Sequence, residues 1–366
     1  MATVDAGDSP AQRPLVSVVI PAFEGGRTIL WTLESLSSQD YVPAEWIIVD
    51  DGSRDALPSI VREFLATKER EATVIQHSVN QGISRSLNDG VRRATGEFVL
   101  ILHQDIELVG RDWITRAVGH LAERSEVSVV TGYYGLPARG DLTFAHRAFG
   151  FLRRQFHPMS PNAQEFVPFS EFKCDLIRKS VLDRLGSFPT EFRVAGEDIM
   201  LSYRIRRAGG KIMKAYDLRT MQRFAGAGET VRGNLRKEFR FGQAFAGVLR
   251  AFGVYPFREL ESSRYARQRS YHRAFQPIWS FAIGMLLLVA IILGWSIAAL
   301  LAGVLLLSRY AYYFARLWPD FHQWVDSWPR AFGETTLASL LGVSSDFVYS
   351  FGLGTGLIRT AVGAPL

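Results

Sequence analysis

Trp46-Ile47-Ile48-Val49-Asp50-Asp51-Gly52-Ser53 is an apolar run that stops abruptly on two carboxylates and a glycine. Four apolar residues in a row read as a buried strand, and Asp-Asp-Gly-Ser as the turn that ends it. The neighbouring sequence repeats the pattern. Leu15-Val16-Ser17-Val18-Val19-Ile20 is a buried-strand pattern ended by Pro21, and residues 28–38 follow with Ile29, Leu33 and Leu36 at helical spacing. Residues 57–66 and 84–94 read as helices, and residues 73–76 and 98–102 as strands. Strand and helix alternating in this way predict an α/β domain: a mostly parallel, Rossmann-like sheet with helices on both faces. Such sheets bind ligands beyond the carboxyl ends of their strands. Asp50-Asp51 and His103-Gln104-Asp105 both fall at strand ends of that kind.

Composition agrees with a folded chain. Of 366 residues, 48% are hydrophobic and 21% charged, which excludes a disordered protein and allows a sizeable core. The net charge of +6 clusters beside the apolar segments. There is no zinc-finger spacing and no RNA-binding aromatic motif, so no nucleic-acid partner is expected. The single cysteine, Cys174, excludes an intramolecular disulfide framework and fits a cytosolic domain. Residues 1–14 are polar, predict a disordered tail and carry no secretory signal pattern.

Beyond the α/β domain (residues 15–225) the pattern changes. Residues 226–275 read as interfacial, amphipathic and basic. Within them residues 234–252 alternate Leu235, Phe239, Ala246 and Leu249 with Arg236, Lys237, Arg240 and Arg250, which suits a membrane interface or a helix packed on its own domain. Residues 258–273 add five arginines. Residues 276–366 read as a membrane region of two to three hydrophobic segments. Residues 278–307 hold no charge; that is too long for one upright span of about 20 residues, and Gly294-Trp295-Ser296 suits a hairpin between two segments. Residues 336–358 form a weaker segment that contains Asp346, and residues 319–330 mix tryptophans with charges as an interfacial stretch does. Arginines before the run predict a multi-pass membrane protein with its N-terminal domain in the cytoplasm.

Four local patterns occur in a telling order: a strand into Pro21-Ala22-Phe23-Glu24; Ile48 through Ser53; a strand into His103-Gln104-Asp105; and Gly196-Glu197-Asp198 before an arginine-rich segment, Ser202-Tyr203-Arg204-Ile205-Arg206-Arg207. In this order, over about residues 15–250, the sequence resembles glycosyltransferase family 2, inverting enzymes with the GT-A fold. Asn80-Gln81-Gly82 matches the family's Asn-x-Gly helix entry. Leu185-Gly186-Ser187-Phe188 matches the stretch before its Glu-Asp pair.

The resemblance implies an enzyme that moves a sugar from a nucleotide-diphosphate donor to a membrane-associated acceptor: a polyprenyl phosphate, a lipid-linked saccharide or a cell-envelope glycan. It implies a nucleotide-sugar site at Pro21, Ala22, Glu24, Asp50, Asp51, Ser53, Gly82, Arg85 and Gln104. Asp50 or Asp51 would accept from the base, and Arg85 would approach the diphosphate. A divalent cation, Mn²⁺ or Mg²⁺, would neutralise the leaving diphosphate. Asp105 matches the last Asp of the family's Asp-x-Asp, and Glu107 stands ready to complete the shell. His103 replaces the first Asp, and three roles stay open for it: ribose contact, metal ligand or packing. Asp198, with Glu197 beside it, would be the base that deprotonates the acceptor, a role compatible with capping the next helix. Arg236 and Arg240 would face the acceptor or its phosphate. Lys237-Glu238-Phe239-Arg240-Phe241 is similar to the processive members' Gln-x-x-Arg-Trp, but the Gln and the Trp are both changed, which argues against processivity. Two alternatives remain. A silent scaffold in a glycan-assembly complex is motivated by His103; a polysaccharide synthase would need more spans or a homo-oligomer.

Overall fold

The structure, a computed structural model, describes residues 13–135, 142–152, 164–190, 196–223, 230–252 and 272–362. Most of the expected N-terminal tail and of the arginine-rich 258–273 stretch lies outside the described residues. The first half of the sheet is what the apolar runs predict. β1 (Val16–Ala22), α1 (Ile29–Ser37), β2 (Ala44–Asp50), α2 (Leu57–Thr67), β3 (Thr73–Gln76), α3 (Ile83–Arg93) and β4 (Phe98–Leu102) alternate along the chain. The four strands are parallel, in the order β3-β2-β1-β4. Alternation along β1 and β2 sends side chains to both faces. Val16, Val18, Ile20, Trp46 and Ile48 pack with Leu33, Leu57, Phe64 and Trp113 on one side. Val19, Ile47 and Val49 pack with Leu87, Val91, Leu201 and Ile205 on the other.

One boundary differs. Pro21 does not end β1; the strand continues through it to Ala22. Pro21 pairs with Val49 on β2, but the β4 ladder stops at Val19↔Ile101, so the proline's missing N–H costs no hydrogen bond on that side.

The second half reverses direction. β5 (Ile106–Leu108), α4 (Trp113–Ala122), β6 (Val127–Gly135), α5 (Phe144–Leu152), β7 (Gln164–Val167), β8 (Cys174–Arg178), α6 (Lys179–Leu185), α7 (Glu197–Arg207) and β9 (Lys211–Gln222) follow. The full order is β3-β2-β1-β4-β8-β6-β9-β5, with β7 on β9. β8 runs antiparallel to both β4 and β6, so the sheet is mixed. This turn brings β9 beside β5, directly after the His103-Gln104-Asp105 strand end.

Four helices complete the described chain: α8 (Val231–Phe252), α9 (His272–Ile292), α10 (Ser296–Trp324) and α11 (Trp328–Ala361). The expected hairpin is present, with Gly294 between α9 and α10. α10 and α11 are long and apolar enough to cross a membrane, at roughly 44 and 51 Å from the helical rise. Their outward face is apolar; Ile297 is 77% and Leu300 67% exposed. Asp346, the residue that weakens the third segment in the sequence, is buried. Its carboxylate accepts hydrogen bonds from Ser280 on α9 (2.7 Å) and from Arg309 (3.0 Å) and Tyr313 (2.8 Å) on α10. A charge among apolar helices is tolerated where partners from its neighbours satisfy it in this way.

α8 buries one face against its own chain. It packs on α11 at backbone distance: a Cβ on Gly356 would stand 2.8 Å from the Gln243 main chain, and one on Gly352 would overlap the Phe239 carbonyl. Small residues allow that approach as they do between membrane helices. Met200 of α7 joins Phe245, Ala246 and Leu353 in one cluster, so the helix pair also rests on the α/β domain. On the other side, Arg147 of α5 holds Glu334 of α11 through two nitrogens, with distances of 2.8 to 3.1 Å.

Candidate active site

The ends of β1, β2 and β4 open onto a cleft of about 620 Å³. Its wall includes Pro21, Ala22 and Phe23 after β1; Asp51 after β2; Asn80, Gly82, Ile83 and Ser86 at the start of α3; and His103, Gln104 and Asp105 after β4. Arg240 and Gln243 of α8 and Arg359 of α11 close the remaining side.

Asp51 builds this cleft as well as lining it. Its carboxylate accepts the N–H groups of Gln81 and Gly82, both at 2.8 Å, and lies 2.7 Å from His77 Nδ1. His77 Nε2 lies 2.9 Å from Asp89 on α3. The strand-end aspartate thus fixes the Asn80-Gln81-Gly82 entry and the first turn of α3, where Ile83 and Ser86 line the cleft. Asp50 accepts the Ser53 N–H at 2.9 Å and caps its own turn. The turn needs Gly52: its φ is +78°, and a Cβ there would stand 2.8 Å from the Val79 carbonyl carbon.

Other expected residues serve as supports around the rim. Glu24 accepts the Arg54 N–H, and the Ser53 hydroxyl accepts the Glu24 N–H, each at 2.9 Å. Gln104 pairs with both polar groups of the Phe23 main chain, at 2.9 and 3.0 Å, tying the β1 and β4 ends together.

Three expectations are not met by the geometry. Arg85 is exposed on α3, donates to Gln81 at 3.3 Å and is outside the cleft lining; its place in the helical repeat turns it outward. Arg236 is likewise exposed and outside the lining, one turn from Arg240. Glu107 is held by Arg223, Oε2 to Nε at 2.7 Å and to Nη2 at 2.6 Å, because β5 pairs beside β9. Among the described residues no three His, Cys, Asp or Glu side chains gather as a metal cage.

What remains for a cation is Asp105 and His103. One Asp105 oxygen accepts from Gln222 Nε2 at 2.8 Å. Burial pushes His103 down to about 4 against the opposing pull of Asp105, so the imidazole is neutral near pH 7. A carboxylate and a neutral imidazole are a fitting donor pair for a cation that takes its other ligands from phosphate and water.

Glu197 and Asp198 open α7, with the Ile199 N–H donating to Asp198 at 2.8 Å. One Glu197 oxygen is buried and makes no hydrogen bond. Burial, then the charge of Asp198, pushes Glu197 up to about 8; burial pushes Asp198 up to about 7. Neither lines the cleft itself. Glu171 and Lys173, paired at 2.7 Å just before β8, act electrostatically on both His103 and Asp198 and so connect the two regions. Glu171, Lys173, Gln243 and Arg359 were not found by the sequence patterns.

Comparison with known proteins gives the family. Residues 17–186 match the family described as Glycosyl transferase family 2. Glycosyltransferase AglE of Haloferax volcanii is 25% identical over 232 residues, 63% of this chain and 72% of that protein. A GalNAc(5)-diNAcBac-PP-undecaprenol beta-1,3-glucosyltransferase of Campylobacter jejuni is 31% identical over 96 residues, and the chain spans 31% of its length. Among solved structures, mannosyltransferase PcManGT of Pyrobaculum calidifontis, in complex with GDP-Man and Mn²⁺, aligns at a TM-score of 0.54 and 20% identity, over 96% of this chain and 88% of that one. That last likeness speaks for the fold alone. The matched residues run from β1 into the glycine after α6 and include both the Asp51 and the Asp105 strand ends, and over them the chain carries a glycosyltransferase family 2 domain.

Proposed function

We propose that this glycosyltransferase is an inverting enzyme that passes a sugar from a nucleotide diphosphate to a phosphate-bearing or saccharide acceptor carried in a membrane. The observation that supports it most is the composition of one cleft. Strand ends of the nucleotide-sugar type form its floor, and Arg240, Gln243 and Arg359 reach it from helices that pack as, or against, apolar spans. In this reading the base and ribose lie along Pro21, Ala22 and Asp51, and the diphosphate lies toward Asp105. Asp105 and His103 hold the divalent cation, Mn²⁺ or Mg²⁺, which supplies charge neutralisation to the leaving group. Glu24, Asp50, Ser53 and Gln104 hold the cleft's rim, and Glu107 positions Arg223.

Asp198 is the base. It removes the acceptor hydroxyl proton as that oxygen bonds the anomeric carbon from the face opposite the departing diphosphate, which leaves with the C–O electron pair. A base near its own pKa at neutral pH suits proton transfer. Glu197, protonated over the same range, keeps the second carboxyl of the pair neutral. A phosphate acceptor, already ionised, would need this base less. The α10 and α11 helices carry the enzyme in the bilayer as a multi-pass protein, with the α/β domain on the cytoplasmic side.

The test incubates full-length protein in native membranes with Mn²⁺ and a panel of labelled nucleotide sugars, beside an Asp198→Asn control. Transfer of label into a lipid extract that vanishes in the control is expected. Folded protein that neither transfers nor hydrolyses any of the sugars would refute the reading.

A further inference from the structure

The cleft wall opposite the strand ends is built by helices that lie outside the sheet, and it carries two cations with nothing to neutralise them. Among the described residues, neither Arg240 nor Arg359 makes a hydrogen bond or an ion pair. Other arginines of this chain are spoken for: Arg147 by Glu334, Arg223 by Glu107, Arg309 by Asp346. The acidic groups across the cleft do not compensate, since Asp51 is engaged with Gln81, Gly82 and His77, and Asp105 with Gln222. A basic residue in a last turn also suits the helix dipole, as Arg359 does on α11. That does not account for Arg240, in the middle of α8, turning to the same cleft.

The spacing between the two cations is built in. Gln243 follows Arg240 by three residues and shares its helix face. Gly356, one turn before Arg359, is where α11 meets the Gln243 backbone, and the Arg250 guanidinium donates to the Thr360 carbonyl just beyond. The two helices are therefore fastened on either side of Arg359, and its position relative to Arg240 follows from backbone contact.

We propose that Arg359, with Arg240 and Gln243, forms a subsite for a phosphoryl oxyanion at the membrane-side wall of the cleft, so that the last turn of α11 supplies part of substrate recognition. Guanidinium groups bind phosphate through paired, charge-assisted hydrogen bonds, and Gln243, whose Nε2 donates to Thr355 Oγ1 at 3.4 Å, keeps a second amide N–H as a neutral donor in the same lining. The phosphate comes from one of two sources, the head of a lipid-borne acceptor or the donor diphosphate, and the test separates them. The assignment rests on the proposed function for its substrate class, but its readout is binding and does not require transfer.

The full-length protein is titrated in dodecyl maltoside micelles with undecaprenyl phosphate, with neutral undecaprenol, and with UDP or GDP plus Mn²⁺. Wild type is compared with Arg359→Gln, Arg359→Lys and Arg240→Gln, each checked for an unchanged melting temperature. For Arg359→Gln, undecaprenyl phosphate affinity is expected to fall about tenfold or more, the usual scale for losing a charged hydrogen-bond partner, with undecaprenol unaffected and partial recovery in Arg359→Lys. A fall confined to the nucleotides would equally support the subsite and make the donor its source. Unchanged binding of both phosphate classes in folded Arg359→Gln and Arg240→Gln would overturn it. Intact binding effects without transfer of any sugar would sink the proposed function and leave this subsite standing; transfer that depends on Asp198 but is indifferent to Arg359 would do the reverse.

Discussion

Asp51 offers the sharpest test of how the cleft is built. In Asp51→Asn the amide oxygen can still accept from Gln81 and face His77, but an NH₂ group then meets the Gly82 N–H, donor against donor. The change removes one charge-assisted bond and leaves a buried N–H without an acceptor, at about 1–3 kcal/mol for the orphaned group. Losing the negative charge beside His77 adds to this, and a total of about 3 kcal/mol follows from the charged-bond scale. For a domain of this size, about 2–4 °C of melting temperature per kcal/mol gives a fall of roughly 6–12 °C. The assay is intrinsic-fluorescence melting of detergent-solubilised protein without nucleotide, since bound ligand would mask the loss. Asp50→Asn is the companion, expected to cost about 1 kcal/mol because the Ser53 N–H can still find the amide oxygen. A melting temperature that is unchanged or raised in Asp51→Asn would refute the reasoning: the carboxylate would then be a buried charge kept only for a ligand.

Four further outcomes are expected. Asp198→Asn is expected to lower transfer by about 10²–10⁴-fold with nucleotide binding intact; wild-type kcat/KM should rise with pH and level off above about 7, and a flat profile would remove Asp198 as the base. Both folded pKa values lie above their unfolded ones, so the native state holds extra protons between about pH 4 and 8 and loses stability as pH rises through that window; Glu197→Gln is expected to melt higher than wild type at pH 8. Glu107→Gln is expected to leave the Mn²⁺ concentration dependence of activity unchanged and to cost under about 1 kcal/mol as a part-exposed ion pair, whereas Asp105→Asn should shift that dependence strongly. Gly352→Leu forces a side chain into the Phe239 carbonyl and should lower the melting temperature through overpacking worth about 1–3 kcal/mol, read in the same fluorescence assay.

The parallel half of the fold was legible because its strands are apolar on both faces and each ends on a polar turn. Val16 to Ile20, Trp46 to Val49 and Phe98 to Leu102 need no partner to be recognised. The antiparallel half hides itself. β8 carries buried Asp175, which receives the Ser170 hydroxyl, and β9 carries buried Lys214; polar residues inside core strands break the apolar signal. β5 is only three residues long and has no periodicity to read. The site divides in the same way. Asp51, Asp105 and Gly82 sit where local motifs point. Gln243 and Arg359 lie far along the chain in segments that read as interface and membrane, and only tertiary packing carries them to the strand ends. Arg85 and Glu107 show the converse: adjacency in sequence suggested a role, and helix phase in one case and strand pairing in the other gave each side chain a different neighbour.

The Asp346 network bears on how the chain is made as well as how it stands. α11 is less apolar than α10, and alone in hydrocarbon it would carry an unpaired aspartate, while α10 alone would carry an unpaired Arg309. Each is a costly passenger by itself and an inexpensive one in the other's company. For α10 and α11 as the spans proposed above, biogenesis should therefore proceed with α10 held at the insertion machinery until α11 emerges, the two entering the bilayer as one hairpin. A nascent chain stopped after Trp324 should be retained poorly in membranes, and the Arg309→Leu change should rescue it.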